Sequence, residues 1–302
     1  MALCRSFYST DGGFVCTVAD QCRPSIQGTM LGRDREKSSM TETLYVGGAT
    51  GYDEMFARVT QAFIPPLLDA AQIAAGQRIL DVATGTGVAA RAARDLVGPG
   101  GEVIAGDISS TMLDVARRNQ ENSGIKFEQF DGHKLLYPDA HFDRVICQLG
   151  LAFFDDPGRG LTEFRRVLKP EGRAAVIVNS APERSLFTRI ATVIGQHVSE
   201  RAEHLNRYAS IGTIERLREL FVAAGFHSVE VKTETRSFSF ASFDAYFSGT
   251  EAGAGFSGQE FVKLPLETRK AVREKMRLSF PDGGSHEPLV ILMEVLVGSG
   301  QR

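Results

Sequence analysis

Apolar and polar positions along the 302-residue chain fall into three stretches. Residues 1–39 carry no apolar period and mix polar, Gly and Cys residues without order, which predicts a disordered N-terminal extension. They hold no continuous apolar run, and Asp11, Asp20, Asp34 and Glu36 argue against a transit peptide, so Met40 is a candidate start. From Asp53 onward Phe56, Val59, Phe63 and Leu67 recur at helical spacing, and Pro65-Pro66 is expected to break that run. A regular alternation follows. Strands are predicted at Arg78–Val82, Glu102–Ala105, Lys126–Phe130, Phe142–Gln148 and Gly172–Val178. Helices are predicted between them at Val88–Val97, Ser109–Asn122 and Gly160–Leu168. Strands that alternate with helices imply a parallel sheet covered on both faces, a doubly wound α/β fold.

The last third changes character. Phe187–His204 and Ile211–Ala224 read as helices, the second stopped by Gly225. Ser228–Phe240 alternates as a strand, and Leu289–Val297 is a closing strand. Between them, Phe243–Phe280 reads as mostly helical, interrupted by the Gly-rich run Gly249–Gly258. No linker separates a second domain. Residues 40–302 are therefore expected to be one domain, with helical cover at 181–210 and 243–280.

Composition narrows the function. Hydrophobic residues make up 43% and charged residues 24%, enough for a sizeable core. Net charge is −3 with no concentrated basic face, which argues against a nucleic-acid partner. No apolar run reaches the roughly 20 residues of a membrane span. Of four cysteines, three precede residue 30 and none forms a C-x-x-C pair. Neither a disulfide framework nor a metal site is expected, and Cys147 reads as a buried inert thiol in a reducing, cytoplasmic setting.

The candidate chemistry begins at Ile79-Leu80-Asp81-Val82-Ala83-Thr84-Gly85-Thr86-Gly87. A buried strand ends in an acid, then a Gly-rich turn, then a helix, and Gly85–Ala90 satisfies G-x-G-x-x-[GA]. A tight structural turn would also account for that run alone. Asp107, at the end of the next strand, stands where an acid that binds ribose hydroxyls is expected; the alternative is a helix N-cap, a need that Ser109 or Ser110 can serve. Two ligands then remain: a nicotinamide dinucleotide or S-adenosylmethionine. Asp81 would repel a pyrophosphate at the helix N-terminus but suits a sulfonium and an ammonium group, so it favours the methyl donor.

These motifs resemble the class I S-adenosylmethionine-dependent methyltransferases, most of all the small-molecule branch that includes ubiquinone and menaquinone biosynthesis enzymes. Asp81–Gly87 resembles the family's first motif, with Ala83 in place of the usual first glycine. Gly106-Asp107-Ile108-Ser109, Asp131-Gly132 and Phe142-Asp143-Arg144-Val145 match its second, third and fourth strand ends. Arg166-Val167-Leu168-Lys169-Pro170-Glu171-Gly172-Arg173 matches the connection before its fifth strand, and Ala223-Ala224-Gly225-Phe226 the approach to its sixth. The resemblance implies a seven-stranded sheet with an antiparallel last strand and N-terminal helices over the donor. It implies donor contacts at Asp81, Ala83, Thr84, Gly85, Gly87, Asp107, Ile108, Asp131, Gly132 and Gln148. Met112 packs either on the adenine or in the core. Tyr52 is either the family's aromatic near the methionine end or a helix-start residue. His133 is read as a loop residue.

The stretch Gln148–Phe154 lacks the acid or amide, two prolines and aromatic of nucleic-acid amino methyltransferases. Its apolar character, with Leu149, Leu151, Phe153 and Phe154, suits a small, partly apolar acceptor, with core packing claiming some of these residues. His197, His204 and Tyr208 follow the fifth strand, where the fold builds its acceptor pocket, or are ordinary helix-surface residues. No catalytic residue is nominated. A nicotinamide-dependent oxidoreductase and a non-catalytic donor-binding protein of the same fold are the competing readings.

Overall fold

The computed structural model describes residues 58–302 apart from His286. Tyr52 and the expected extension at 1–39 lie outside the described residues. Residues 58–61 are helical, and α1 (Ile64–Ala71) follows directly. The run is interrupted at the turn of residues 62–63, so the expected break falls just ahead of Pro65 and Pro66, which stand in the first turn of the helix that follows. The reason is that the first-turn N–H groups have no intrahelical acceptor, so proline forfeits nothing there.

The alternating core runs β1 (Arg78–Val82), α2 (Val88–Val97), β2 (Glu102–Asp107), α3 (Ser110–Asn119), β3 (Lys126–Gln129), β4 (Phe142–Gln148), α4 (Pro157–Val167) and β5 (Leu168–Asn179). α4 starts three residues earlier than its apolar pattern suggests, because Asp156 caps it by accepting the Arg159 N–H at 3.0 Å. Then come α5 (Leu186–His197), α6 (Ala202–Asn206), α7 (Ile214–Ala223), β6 (His227–Phe240), α8 (Phe243–Glu251), α9 (Gly255–Val262), α10 (Leu266–Leu278) and β7 (Leu289–Gln301). The single helix expected over 187–204 is in fact α5, a 3-10 turn at Ser199–Arg201 and α6. The Gly-rich run does not simply interrupt the last helical stretch. Gly255 and Gly258 lie inside α9, and a second break falls before α10, where Pro265 is the N-cap.

Seven strands form one sheet in the order β3-β2-β1-β4-β5-β7-β6. β1 to β5 are parallel, and β7 is antiparallel to both β5 and β6. Alternate side chains feed two cores. Ile79, Ala175, Ile177 and Val297 face one cluster with α1, α2, α5 and the α8–α10 helices. Leu80, Val82, Val176 and Leu296 face the other, with α4 and α7. Cys147 is fully buried in the second cluster, and burial pushes its thiol far above the ordinary range. That fits the inert role read from the sequence.

Two features place the site. Chain order reverses between β1 and β4, and in such sheets ligands bind outside the carboxyl ends of the strands at the reversal. In addition, β5 pairs with β7 only from Asn179↔Val295 to Arg173↔Gln301, whereas β6 stays paired with β7 to Phe240↔Leu289. The two-stranded ribbon therefore runs past the end of β5 and carries α8–α10 over that same edge.

Candidate active site

The turn after β1 is built around two carboxylates. Asp81 is fully buried, and its Oδ2 accepts the Thr84 hydroxyl at 2.6 Å. Its Oδ1 has no hydrogen-bond partner among the described residues. Burial, reinforced by the nearby charge of Asp107, raises its pKa from 3.8 to about 7 against the Thr84 hydrogen bond. A buried acceptor without a donor is costly unless something arrives to satisfy it. An ammonium group is such a partner; a pyrophosphate is not.

Asp107 closes the other side. Its Oδ2 accepts the Gly85 N–H and its Oδ1 the Ser109 N–H, both at 2.9 Å. Burial raises its pKa too, opposed by these backbone donors. The side chain thus holds the Gly turn, while the helix-cap duty belongs to Ser109, whose hydroxyl accepts the Met112 N–H. Each oxygen retains a lone pair for a diol. Gly85 and Gly87 have φ of 56° and 84°, left-handed values that favour glycine. Ile108, 40% exposed, puts an apolar surface beside this carboxylate. Across from it Asp131 accepts its own loop's His133 N–H at 2.8 Å, and Gly132 is buried. The Asp131-Gly132 loop is held from below. Arg166 donates to the carbonyls of Leu135 and Tyr137 and pairs with Glu163 and Asp139. This buttress is the structural reason for the arginine that opens the 166–173 match.

Not every expected residue reaches the site. Met112 is buried at 3% exposure and packs inside the fold. Gln148 spends its amide nitrogen on the Thr60 carbonyl at 2.7 Å, tying β4 to the 58–61 helix. Phe154, expected at the acceptor edge, turns to the second core. Its ring lies where a Cβ on Gly132 or Gly160 would stand, 2.3 and 2.5 Å from the nearest ring atoms, and packs edge-on against Phe164. His197 is exposed at the end of α5, its Nδ1 2.9 Å from the Val193 carbonyl of its own helix.

The structure does bring Leu149, Phe153 and Tyr208 to one side, and adds Phe256 from α9. Tyr208 and Phe256 stack at 5.0 Å, and Phe153 packs edge-on to both at 4.8 and 5.5 Å. His204 meets Phe256 at 5.2 Å. These rings come from segments after β4, after β5 and between β6 and β7. Sequence reasoning missed Phe256, whose only local signal was an aromatic inside a glycine-rich run. A separate cleft of about 330 Å³ lies at the amino ends of the strands, between Arg78, Glu102, Asp143 and Lys169. Its charges already pair with one another, Arg78 with Glu102 and Lys169 with Asp143.

Known proteins share this architecture. A family described as "Methyltransferase domain" matches residues 80–176. The ubiquinone/menaquinone biosynthesis C-methyltransferase UbiE of Pseudomonas paraeruginosa (strain DSM 24068 / PA7) is 35% identical over 173 residues, covering 52% of this chain and 68% of that protein. A demethylmenaquinone methyltransferase of Deinococcus radiodurans is 39% identical over 127 residues, covering 41% and 52%. Among solved structures, a putative methyltransferase from Bacillus halodurans C-125 covers 80% of this chain and 98% of its own at TM-score 0.57 and 20% identity. Phosphoethanolamine N-methyltransferase 2 of Haemonchus contortus, in complex with S-adenosyl-L-methionine, covers 86% and 58% at TM-score 0.56 and 18% identity. No helix among the described residues is long and apolar enough to cross a membrane. With the acid-ended β1, the Gly turn and the relatives in agreement, this chain belongs to the small-molecule branch of the class I methyltransferases, and S-adenosylmethionine is its cofactor.

Proposed function

We propose that this methyltransferase acts on a carbon of a planar, partly apolar ring of the quinol class, held against the Phe153–Tyr208–Phe256 rings. The observation that carries the reading is that aromatic cluster, built at the carboxyl edge from three distant segments. The names of the relatives, C-methyltransferases of ubiquinone and menaquinone biosynthesis, point the same way.

In this reading Asp81 holds the donor's ammonium, Asp107 its ribose diol, and Ile108 with Asp131-Gly132 its adenine. Ala83, Thr84, Gly85 and Gly87 form the backbone cradle. Gln148 acts through Thr60 by fixing the 58–61 helix across the site. When bound, S-adenosylmethionine supplies an electrophilic methyl group whose departure leaves a neutral thioether. The protein's part is therefore alignment and exclusion of water. Leu149 and Phe153 keep the approach dry on the acceptor side. A ring carbon that gains the methyl group loses its hydrogen as a proton, and a quinol is electron-rich enough to do so without a metal.

The test is incubation with methyl-labelled donor and reduced, short-chain demethylmenaquinone under argon. Labelled product one CH2 heavier by mass spectrometry is expected. Tight donor binding with no methylated ring would overturn the acceptor class and leave the donor site standing.

A further inference from the structure

At the crevice between β1 and β4, two backbones meet with residue types opposite to those their conformations favour. Ala83 follows β1 at φ 57°, a left-handed value where a side chain is strained and glycine is not. Gly150 follows β4 at φ −86° and ψ −33°, an ordinary right-handed conformation open to almost any residue. Space alone reserves position 150 for glycine. A Cβ there would lie 2.4 Å from the Ala83 Cβ and 3.2 Å from the Cys147 Sγ. The alanine methyl is bonded directly to the backbone, so no side-chain rotation can relieve that overlap.

We propose that Ala83 and Gly150 are a matched pair of positioning residues that holds a single methyl group between the donor turn and the acceptor edge. The proposal rests on the donor-site reading above. Both ends of the contact lead into the site. Ala83 separates Asp81, with its unpartnered Oδ1, from Thr84, whose hydroxyl bonds Asp81 and whose N–H donates to the Gly106 carbonyl at 3.0 Å. Gly150 accepts the Phe153 N–H at 3.0 Å and so opens the 3-10 turn that aims the Phe153 ring. Its neighbour Leu149 is also left-handed, at φ 58°, and donates its N–H to the Ile177 carbonyl at 2.8 Å. Two strained non-glycine residues thus stand at the neighbouring ends of β1 and β4. Strain of this kind persists where the surroundings over-determine it, and it gathers at functional sites. With no methyl in the gap the donor turn is loose; with two it is forced away from β4. In-line transfer is sensitive to such displacements, which makes the spacing consequential.

Four proteins test this: the parent, Ala83→Gly, Gly150→Ala, and the exchange Ala83→Gly/Gly150→Ala. They carry one, none, two and one methyl group in the gap. Donor affinity is read by calorimetry and stability by thermal unfolding. Ala83→Gly is expected to weaken donor binding about fivefold while its Tm holds or rises, and Gly150→Ala to weaken binding at least about tenfold. The exchange should bind within about twofold of the parent and melt a few degrees higher, because each residue now has its favoured conformation. A purely structural contact would reorder the melting temperatures and leave the four affinities alike, which would overturn the proposal. So would parent-like binding by Gly150→Ala. If Gly150→Ala does not fold, an exchange protein that folds and binds supports the pair, and one that also fails refutes it. A parent that binds no donor removes the donor-site reading, and the pair with it.

Discussion

The stretch from β1 to β5 and the helical cover at 181–210 and 243–280 differ in how they build their share of the candidate site. In the first, Asp81 and Asp107 each sit at or next to a strand's last residue, and each is fixed by groups within one turn or one neighbouring strand. In the second, Tyr208 and Phe256 are separated by a long stretch of chain and meet each other, and Phe153 of the first stretch, only through packing. A donor common to many enzymes can be held by a portable local motif. An acceptor particular to one enzyme is met by a surface assembled from whatever the cap brings together. The two halves should therefore fail separately when perturbed.

The largest separation is expected from Asp107→Ala. Losing a charged acceptor for two hydroxyls costs about 1.5–3 kcal/mol, or roughly 10–150-fold in donor affinity. The Gly85 and Ser109 N–H groups lose their acceptor as well, so the turn loosens. Donor affinity within about twofold of the parent by calorimetry would remove the ribose assignment and with it the contrast between the halves.

Acidity offers the next test. Asp81 titrates near pH 7 in the free protein, and a cationic ammonium needs the carboxylate. Donor affinity should therefore rise about tenfold from pH 6 to pH 8, with a proton released on binding. For folding the sign is opposite. A carboxyl that holds its proton more tightly when folded than when unfolded contributes stability at low pH. That contribution is lost as pH rises from about 4 to 7. Asp81→Asn should accordingly raise the Tm of the donor-free protein more at pH 8 than at pH 5, and flatten the pH dependence of binding. A pH-independent parent would show that the ammonium lies elsewhere.

In the cap, Phe256→Leu keeps most of the apolar volume but removes the stacked ring, at a stability cost of about 1 kcal/mol. We expect unchanged donor affinity and a several-fold higher KM for the ring acceptor. A donor defect equal to the acceptor defect would merge the two halves into one unit. The smallest effect is reserved for Tyr246. It is fully buried among Phe240, Phe243, Phe247 and Phe280, and its hydroxyl has no hydrogen-bond partner among the described residues. Tyr246→Phe should stabilise the protein by about 1 kcal/mol and raise Tm by a few degrees. Lower stability would reveal a partner for that hydroxyl.

What was legible in the amino-acid order follows the same division. Strand and helix periods, the Gly turn, Asp81 and Asp107 were readable because each depends on spacing within a few residues. The seven-stranded sheet with one antiparallel strand came with the family resemblance. The sequence did not reveal that Phe154 wedges between Gly132 and Gly160 or that Gln148 serves Thr60, whereas His197 takes the helix-surface role it was also given. An aromatic side chain at a strand end can turn to either face, and its direction is decided by which glycines leave room. Pro65-Pro66 carried a breaker signal whose meaning depends on its place in a helix.

The sequence by itself marked the proposed donor half, because a carboxylate at a strand end and glycines in the following turn act through their own backbone. Only the tertiary structure decided the aromatic cluster proposed as the acceptor half and the Ala83–Gly150 contact. These depend on the reversal of strand order at β1 and β4 and on the β6–β7 ribbon running past β5. Residues far apart in the chain are brought within van der Waals reach there by close packing, which has no period along the sequence to betray it.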